Sequence, residues 1–149
     1  MLPTMHEDER RAFEQRCLNA LARREHSRAE LAARAADTPA EIVEAVLDAL
    51  AGRGWQSDER FAESYVRSKA GKGDGRLKIA QGLRGKGISE ALAREALAAV
   101  DWQEVARAAY AKKYSTPAST PAERAKRQRF MAQRGFTFDD IHAVLKNHE

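Results

Sequence analysis

The sequence of 149 residues has one cysteine, few aromatic residues and no long apolar run. The lone Cys17 excludes a disulfide within the chain and is typical of a reducing compartment. Its helical spacing from Phe13 and Leu21 predicts a buried small side chain rather than a reactive thiol. Because the apolar stretches are so short, neither a transmembrane helix nor a signal peptide is expected. We therefore expect a soluble, cytoplasmic protein.

The sequence also lacks the residue patterns of common catalytic and metal sites. Its four histidines are scattered, without cysteines, carboxylates or further histidines at metal-ligand spacing. It has no Gly-x-Ser-x-Gly nucleophile motif and no paired catalytic carboxylates in a strand and loop context. We therefore expect no enzyme activity, no metal and no cofactor.

A glycine-rich segment at residues 71–78 is the one stretch that resembles a phosphate loop. It lacks the Gly-Lys-Ser/Thr ending, and no strand precedes it, so we interpret it as a flexible link between two helices. The alternative is an anion site, because free amides and the cations Arg76 and Lys78 at the start of the next helix would attract negative charge.

Capping patterns divide the chain into nine short helices. An oxygen-bearing residue precedes a glutamate by three positions, as in a capping box, at Ser27, Thr38, Asp101 and Thr120. Three further helix starts are predicted at Ser57 or Asp58, Ser89 and Thr137. The predicted helices are 7–24, 28–36, 39–52, 58–70, 76–85, 90–99, 102–113, 121–133 and 138–147. Apolar residues recur at helical spacing and no segment alternates with a period of two, so strands are not expected.

Two tetrapeptides share one pattern of basic, glycine, apolar and hydroxyl residues: Lys-Gly-Ile-Ser at 86–89 and Arg-Gly-Phe-Thr at 134–137. The glycine is expected to end one helix and the hydroxyl to cap the next. Such self-similarity predicts a repeated supersecondary unit. We predict an all-α, elongated and curved tandem array of three three-helix repeats, and expect a monomer. The repeats are 10–55, 57–101 and 102–147, after an N-terminal tail of residues 1–9.

The two tryptophans, Trp55 and Trp102, follow the third predicted helix of the first and second repeats. We interpret these places as equivalent. Packing between successive repeats is therefore favoured over the alternative, the stacking of nucleic-acid bases.

The net charge is only +4, but the positive charge is concentrated in two blocks. Residues 60–88 and 103–135 each hold eight lysines and arginines against two acids, whereas the segments around them are acidic. One block alone is typical of a solvated helix face, but two at corresponding places predict a basic stripe that binds an acidic protein surface or phosphates. The candidate partner-binding residues are Arg67, Lys69, Lys72, Arg76, Lys78, Arg84, Lys86, Lys112, Lys113, Arg124, Arg127 and Arg134.

Several local strings resemble the RecX family of recombinase regulators. Residues 23–31 resemble its first-repeat signature, and residues 58–69 resemble its most distinctive segment, at the start of the second repeat. Residues 84–89 and 130–138 are similar to its later repeats. The resemblance covers nearly the whole chain and keeps the order of the family.

This resemblance implies a regulatory protein that binds the RecA recombinase and its filament on single-stranded DNA. Members of the family typically inhibit filament growth, ATP hydrolysis and strand exchange, and they need no cofactor. A curved molecule in the filament groove would agree with the basic stripe, and weak, non-specific DNA contact is expected. The alternative is a stand-alone helical DNA-binding protein, because helical triplets resemble helix-turn-helix cores and the net charge is positive.

The chain departs from the family pattern in three places. In the loop of the second repeat it has Asp74 and Arg76 where the family often has an aromatic residue and a proline. The family usually continues after Leu31 to a Lys-Gly-aromatic ending, but residues 32–37 are alanine-rich and lack the glycine. Gly82 stands where the family usually has a helix former, and an interior glycine costs about 1 kcal/mol relative to alanine. The departures leave open the helix junction of the first repeat and the rigidity of residues 71–82.

Overall fold

The computed structural model describes residues 5–147, and within that range it consists of nine α-helices and no strand. The helices are α1 (Met5–Leu21), α2 (Arg28–Ala32), α3 (Ala40–Gly52), α4 (Asp58–Gly71), α5 (Arg76–Gly85), α6 (Glu90–Ala98), α7 (Trp102–Lys113), α8 (Pro121–Gln133) and α9 (Phe138–Asn147). The all-α prediction is confirmed, and most helix bounds agree with the predicted ones. No helix of the described residues is long and apolar enough to cross a membrane.

Polar side chains cap most of these helices as predicted. Ser27 accepts a hydrogen bond from the Glu30 amide at 3.1 Å, and the Glu30 carboxylate accepts one from the Ser27 amide at 3.0 Å. Side-chain caps also form at Ser57, Ser89, Asp101, Thr120 and Thr137. The Thr38 prediction is wrong: Pro39 is itself the N-cap of α3, so Thr38 lies one residue too early to cap it.

Apolar side chains form three separate clusters, one in each successive group of three helices. Phe13 and Leu47 lie in the cluster of α1–α3, Leu83 in that of α4–α6 and Met131 in that of α7–α9. The helix pairs in extensive contact all lie within one group, so each group is a small packed unit. Cys17 is buried in the first cluster, as predicted, and burial raises the pKa of its thiol to about 11.

This arrangement confirms a tandem helical fold, in which each triplet buries its own apolar face. The first helix, α1, begins at Met5, within the residues assigned to the N-terminal tail, and residues 1–4 lie outside the described range. The repeat bounds 10–55, 57–101 and 102–147 and the curvature of the array stay predictions.

The two tryptophans occupy different environments. Trp102 is the first residue of α7 but packs into the cluster of α4–α6, where its indole N–H donates to the Leu97 carbonyl at 2.9 Å. Trp55 is 49% exposed and contacts the guanidinium of Arg53. It lies two residues before the N-cap Ser57, so it precedes its helix whereas Trp102 opens one. The prediction of packing between repeats is confirmed for Trp102 and wrong for Trp55.

The turn between the second and third helices of each group contains a residue with positive φ. In the second and third groups it is a glycine, Gly87 at +78° and Gly135 at +99°. In the first group it is Ala36, at +51°. The alanine therefore adopts the left-handed conformation itself, which costs an L-residue about 1–2 kcal/mol. Alanine in place of glycine therefore makes this turn less stable, but the backbone still adopts a positive φ there.

Gly82 has a packing role inside α5. A Cβ atom at this position would lie 2.9 Å from Cζ of Tyr65 and closer still to its hydroxyl oxygen. The absence of a side chain gives room to the Tyr65 ring, which packs on Phe61 with centroids 5.7 Å apart. The weak helix propensity of this glycine is therefore coupled to the packing of α4 against α5.

Candidate partner-binding surface

Turns between helices join neighbouring groups, and the first junction lies between the α1–α2 turn and the second group. The buried amide of Gln56 donates to the His26 carbonyl at 3.3 Å and to Oδ1 of Asp58 at 2.9 Å. Nζ of Lys86 lies 3.3 Å from Oε2 of Glu30. Lys86, predicted to contact a partner, thus forms an ion pair within the protein.

The Glu30 carboxylate is the charged centre of this first junction. Burial raises its pKa, but hydrogen bonds from Arg24, from the Ser27 amide and from Lys86 outweigh burial and lower the pKa to about 2. Glu30 is therefore a carboxylate at neutral pH, and it links the α2 capping box to the α5–α6 turn.

The second junction joins the α4–α5 turn to the α8–α9 turn through backbone hydrogen bonds. The Gly75 amide donates to the Arg134 carbonyl at 2.7 Å, and the Leu77 amide donates to the Gly135 carbonyl at 2.9 Å. These amides at the start of α5 are satisfied by the protein itself. The alternative interpretation of residues 71–78 as an anion site is therefore wrong for these donors. Nor is the segment a free link, because it forms one side of the junction.

An ion pair between the half-exposed Arg76 and the buried Asp140 reinforces the second junction. The Arg76 guanidinium donates to both carboxylate oxygens of Asp140, at 3.1 and 2.5 Å, and Asp140 is only 1% exposed. Burial alone would raise the pKa of Asp140, but hydrogen bonds from Arg76 and Thr137 lower it below its usual value. Since Asp140 stays ionised in the folded protein, the positive charge of Arg76 neutralises this carboxylate.

Two further cations of the predicted set lie around Asp74 at this junction. Nζ of Lys78 lies 3.5 Å and Nη2 of Arg134 lies 3.6 Å from Oδ1 of Asp74. Arg134 also donates to the carbonyls of Lys72 and Gly73, at 2.5 and 3.2 Å. Arg134 therefore ties α8 to the end of α4 while part of its guanidinium stays accessible.

Arg127 is buried in the third group and has internal partners. Its guanidinium donates to the Tyr110 hydroxyl at 2.8 Å and to the Thr116 carbonyl at 2.6 Å. It also lies over the Tyr114 ring, 4.3 Å from the centroid. This arginine holds the loop between α7 and α8 against the core.

The remaining members of the predicted set lie on separate parts of the surface. Arg84 pairs with Glu90, and the Lys69 ammonium lies over the Tyr65 ring. Arg67 lines a groove between α4 and α6 that also contains three glutamates. Arg124 lies in the first turn of α8. Their contact with a partner stays a prediction.

A cleft of about 460 Å³ opens between the end of α4 and the helices α7 and α8, and we call it the basic cleft. It brings together four of the predicted residues: Lys72, Lys112, Lys113 and Arg134. The other lining residues are Ala70, Gly71, Gly73, Val105, Ala108, Ala109 and Phe130. None of these lining residues is acidic. The structure therefore gathers part of the predicted stripe into one concave surface.

The cations of the basic cleft differ in how they are held. Lys72 and Lys112 are exposed and form no ion pair with any residue that the structure describes. The Lys113 ammonium lies 5.4 Å from the centroid of the Phe130 ring. In the described chain, Lys72, Lys112 and Lys113 thus have no acidic partner, although Lys113 is held by an aromatic ring, and Arg134 is held by the second junction.

The apolar floor of the basic cleft is the part that the charge pattern did not reveal. On α7, Val105, Ala108, Ala109 and Lys112 follow the i, i+3, i+4, i+7 spacing of one helix face. That spacing could have identified the face, but alanine carries little hydrophobic signal. Phe130, which completes the floor, lies within the resemblance string 130–138.

Comparison with known proteins gives consistent matches over most of the chain. Residues 57–97 match the family model of the RecX second three-helix domain, and residues 100–145 match that of the third. The regulatory protein RecX of Chromohalobacter salexigens is 47% identical over 130 residues, covering 84% of this chain and 85% of the relative. That of Chromobacterium violaceum is 40% identical over 140 residues, covering 92% and 91%.

Solved structures show the same fold. A crystal structure of RecX from Lactobacillus salivarius superposes with a TM-score of 0.81 at 22% identity, covering 94% of this chain and 96% of that one. A second crystal structure, of regulatory protein RecX, superposes with a TM-score of 0.76 at 25% identity, covering 95% and 73%. The tandem helical fold of the described residues is therefore shared with these proteins.

Proposed function

Because the chain belongs to the RecX family of regulatory proteins, we propose that it binds the RecA recombinase and its filaments on single-stranded DNA. In this proposal it modulates, and mostly inhibits, filament growth, ATP hydrolysis and strand exchange, and thereby regulates DNA repair and recombination. It acts in the cytoplasm as a monomer, without catalysis or a cofactor. The names of its relatives, all regulatory proteins, support a regulatory role.

The observation that best supports partner binding is the basic cleft. Four cations from α4, α7 and α8 and the loops that follow them converge on one concave surface, and two of them lack internal partners in the described chain. Such a concentration of positive charge attracts an acidic protein surface or phosphates and speeds association with them. A regulator that docks on a nucleoprotein filament needs a surface of this kind.

The junctions between groups support the proposal in a second way. The backbone hydrogen bonds of Gly75 and Leu77 and the Arg76–Asp140 ion pair fix the third group against the second. Surfaces on both groups are therefore held in one relative orientation. A protein with this property can contact neighbouring subunits of a filament without first ordering its own domains.

The test is to add the protein to RecA on single-stranded DNA and to measure ATP hydrolysis together with filament growth, the latter by fluorescence of labelled DNA. We expect slower growth and reduced hydrolysis as the protein is titrated. In parallel, duplex and single-stranded DNA are titrated without RecA at several salt concentrations. Weak, non-selective and salt-sensitive binding is expected there.

Two results would contradict the proposal. If filament growth and ATP hydrolysis are unchanged at saturating protein, the proposed interaction with RecA is ruled out. Tight, sequence-selective DNA binding without RecA would instead favour the alternative of a stand-alone DNA-binding protein. Charge reversal at Arg76, Lys78 or Lys86 is unsuitable for locating the surface, because these side chains pair with Asp140, Asp74 and Glu30.

A further inference from the structure

The basic cleft combines an apolar floor with a cationic rim, and this combination restricts what it can bind. Val105, Ala108 and Phe130 present hydrocarbon at its base. The ammonium groups of Lys72 and Lys112 stand at its edge without acidic partners among the described residues. A ligand that satisfied the rim alone would leave the floor in contact with water, and an apolar ligand would leave the rim unneutralised.

The floor is poorly suited to nucleic-acid bases, because Phe130 is the single aromatic residue among its lining residues and already contacts two other side chains. Phe130 forms a T-shaped contact with Tyr114, with centroids 5.8 Å apart, and the Lys113 ammonium lies over the Phe130 ring. One ring cannot offer the series of aromatic faces on which single-stranded nucleic acid stacks its successive bases. A phosphate backbone would contact the rim and leave the alanines uncovered.

The rim is suited to carboxylates. Lysine ammonium groups are compact charges on flexible stems, so two of them can follow acidic side chains at variable spacing. The guanidinium of Arg134, fixed by the carbonyls of Lys72 and Gly73, adds a positive charge held in one place. An apolar side chain set between acidic residues would bury its surface on the floor while its neighbours reach the rim.

We propose that the basic cleft binds a short acidic segment of the partner protein, in which one bulky apolar side chain lies among aspartates and glutamates. The inference rests on the proposed function, because it takes the partner to be a protein, and it adds the chemistry of the bound segment. The apolar side chain inserts against Ala108 and Phe130, and the flanking carboxylates pair with Lys72 and Lys112.

The experiment uses three fluorescent probes of matched charge with the full-length protein. The first is a short peptide of aspartate, glutamate and serine with one central leucine, the second has serine in place of that leucine, and the third is oligo-thymidylate. Binding is measured by anisotropy, and the Ala108 and Ala109 methyl signals are followed by NMR. We expect the leucine peptide to bind most tightly and to shift both methyl signals.

Two variants and one control locate the binding. The Lys72→Gln/Lys112→Gln double substitution is expected to weaken binding of the leucine peptide about tenfold, as removal of two partly exposed pairs predicts. Ala108→Trp fills the cleft from an exposed helix position and should abolish the shift of the Ala109 methyl signal and the preference for leucine. The control is Arg23→Gln/Arg94→Gln, which removes the same charge from exposed arginines outside the cleft and should bind as the unmodified protein does.

Each contrary outcome overturns the inference. If the two peptides bind equally, the apolar floor does not contribute to binding. If oligo-thymidylate binds more tightly and shifts the same methyl signals, the cleft is a nucleic-acid site. No binding of the leucine peptide rejects the site altogether. If the Lys72→Gln/Lys112→Gln variant still inhibits RecA as the unmodified protein does, this inference fails while the proposed function stands. The proposed function fails only if the unmodified protein leaves RecA unaffected.

Discussion

The junction between the second and third groups depends on a glycine whose replacement has a calculable cost. Gly135 has φ of +99°, where alanine is destabilised by about 1–2 kcal/mol. A Cβ atom there would also lie 2.7 Å from the Lys78 amide nitrogen and closer to Lys78 Cβ, so it would collide with the backbone of α5. Overpacking of this kind costs about 1–3 kcal/mol, and the stiffer unfolded chain offsets about 0.4–1 kcal/mol. We therefore predict that Gly135→Ala lowers the free energy of unfolding by about 2–4 kcal/mol.

Urea unfolding followed by circular dichroism measures the loss, and hydrogen exchange locates it. The Gly75 and Leu77 amides donate across the junction, so their exchange should accelerate in the Gly135→Ala variant. Gly85→Ala is the matched control, because Gly85 ends α5 with open space around it and no positive φ. That control should be unchanged or slightly stabilised, by up to about 1 kcal/mol.

Gly87→Ala tests the same reasoning at the first junction. Its φ is +78°, but the Cβ atom would meet only the exposed Ala29 methyl group, at 2.6 Å. The loss should therefore be smaller than at Gly135, because the new methyl group meets one atom of the five-residue helix α2 rather than three atoms of Lys78 in α5. If Gly135→Ala changes the free energy of unfolding by less than about 0.5 kcal/mol, with Gly75 and Leu77 still protected, the proposed rigidity of the junction is refuted.

Three further predictions concern single positions. Ala36→Gly should raise the free energy of unfolding by up to about 1 kcal/mol, since φ is +51° there, and destabilisation measured in urea would contradict it. Gly82→Ala should be about 1–3 kcal/mol more favourable in a Tyr65→Ala background than in the unmodified protein, because the atoms nearest to the new methyl group all belong to Tyr65 and the overpacking is relieved there; additive effects in this double-mutant cycle would reject the coupling. The Glu30 carboxylate, with its pKa lowered to about 2, stabilises the folded state fully above the unfolded pKa of about 4.5, and this contribution disappears as the pH falls toward 2. The destabilisation by Glu30→Gln should therefore shrink as the pH falls through that window in thermal unfolding, and a pH-independent difference would be inconsistent with it.

Local sequence carries much of this fold because helix ends and helix faces are defined by residues a few positions apart. Ser27 reaches the amide three residues on, and Leu83 recurs with Ile79 on one face of α5, so both were predictable from spacing alone. The capping-box rule failed at Thr38, because α3 begins one residue later than predicted and Pro39, not Thr38, is its N-cap. The predicted positive-φ glycines, Gly87 and Gly135, are confirmed, and in the first group, which lacks this glycine, Ala36 takes the conformation instead.

The sequence by itself therefore determined the nine helices of residues 5–147, most of their caps, the two basic blocks and the resemblance to a family, since each is a short-range or compositional property. Only the tertiary structure decided what each cation does. Arg76 meets Asp140 and Arg134 meets the carbonyls of Lys72 and Gly73 across many residues of chain, and no spacing rule relates them. The same packing left Lys72 and Lys112 beside an apolar floor, because the end of α4 approaches α7 only in the folded molecule.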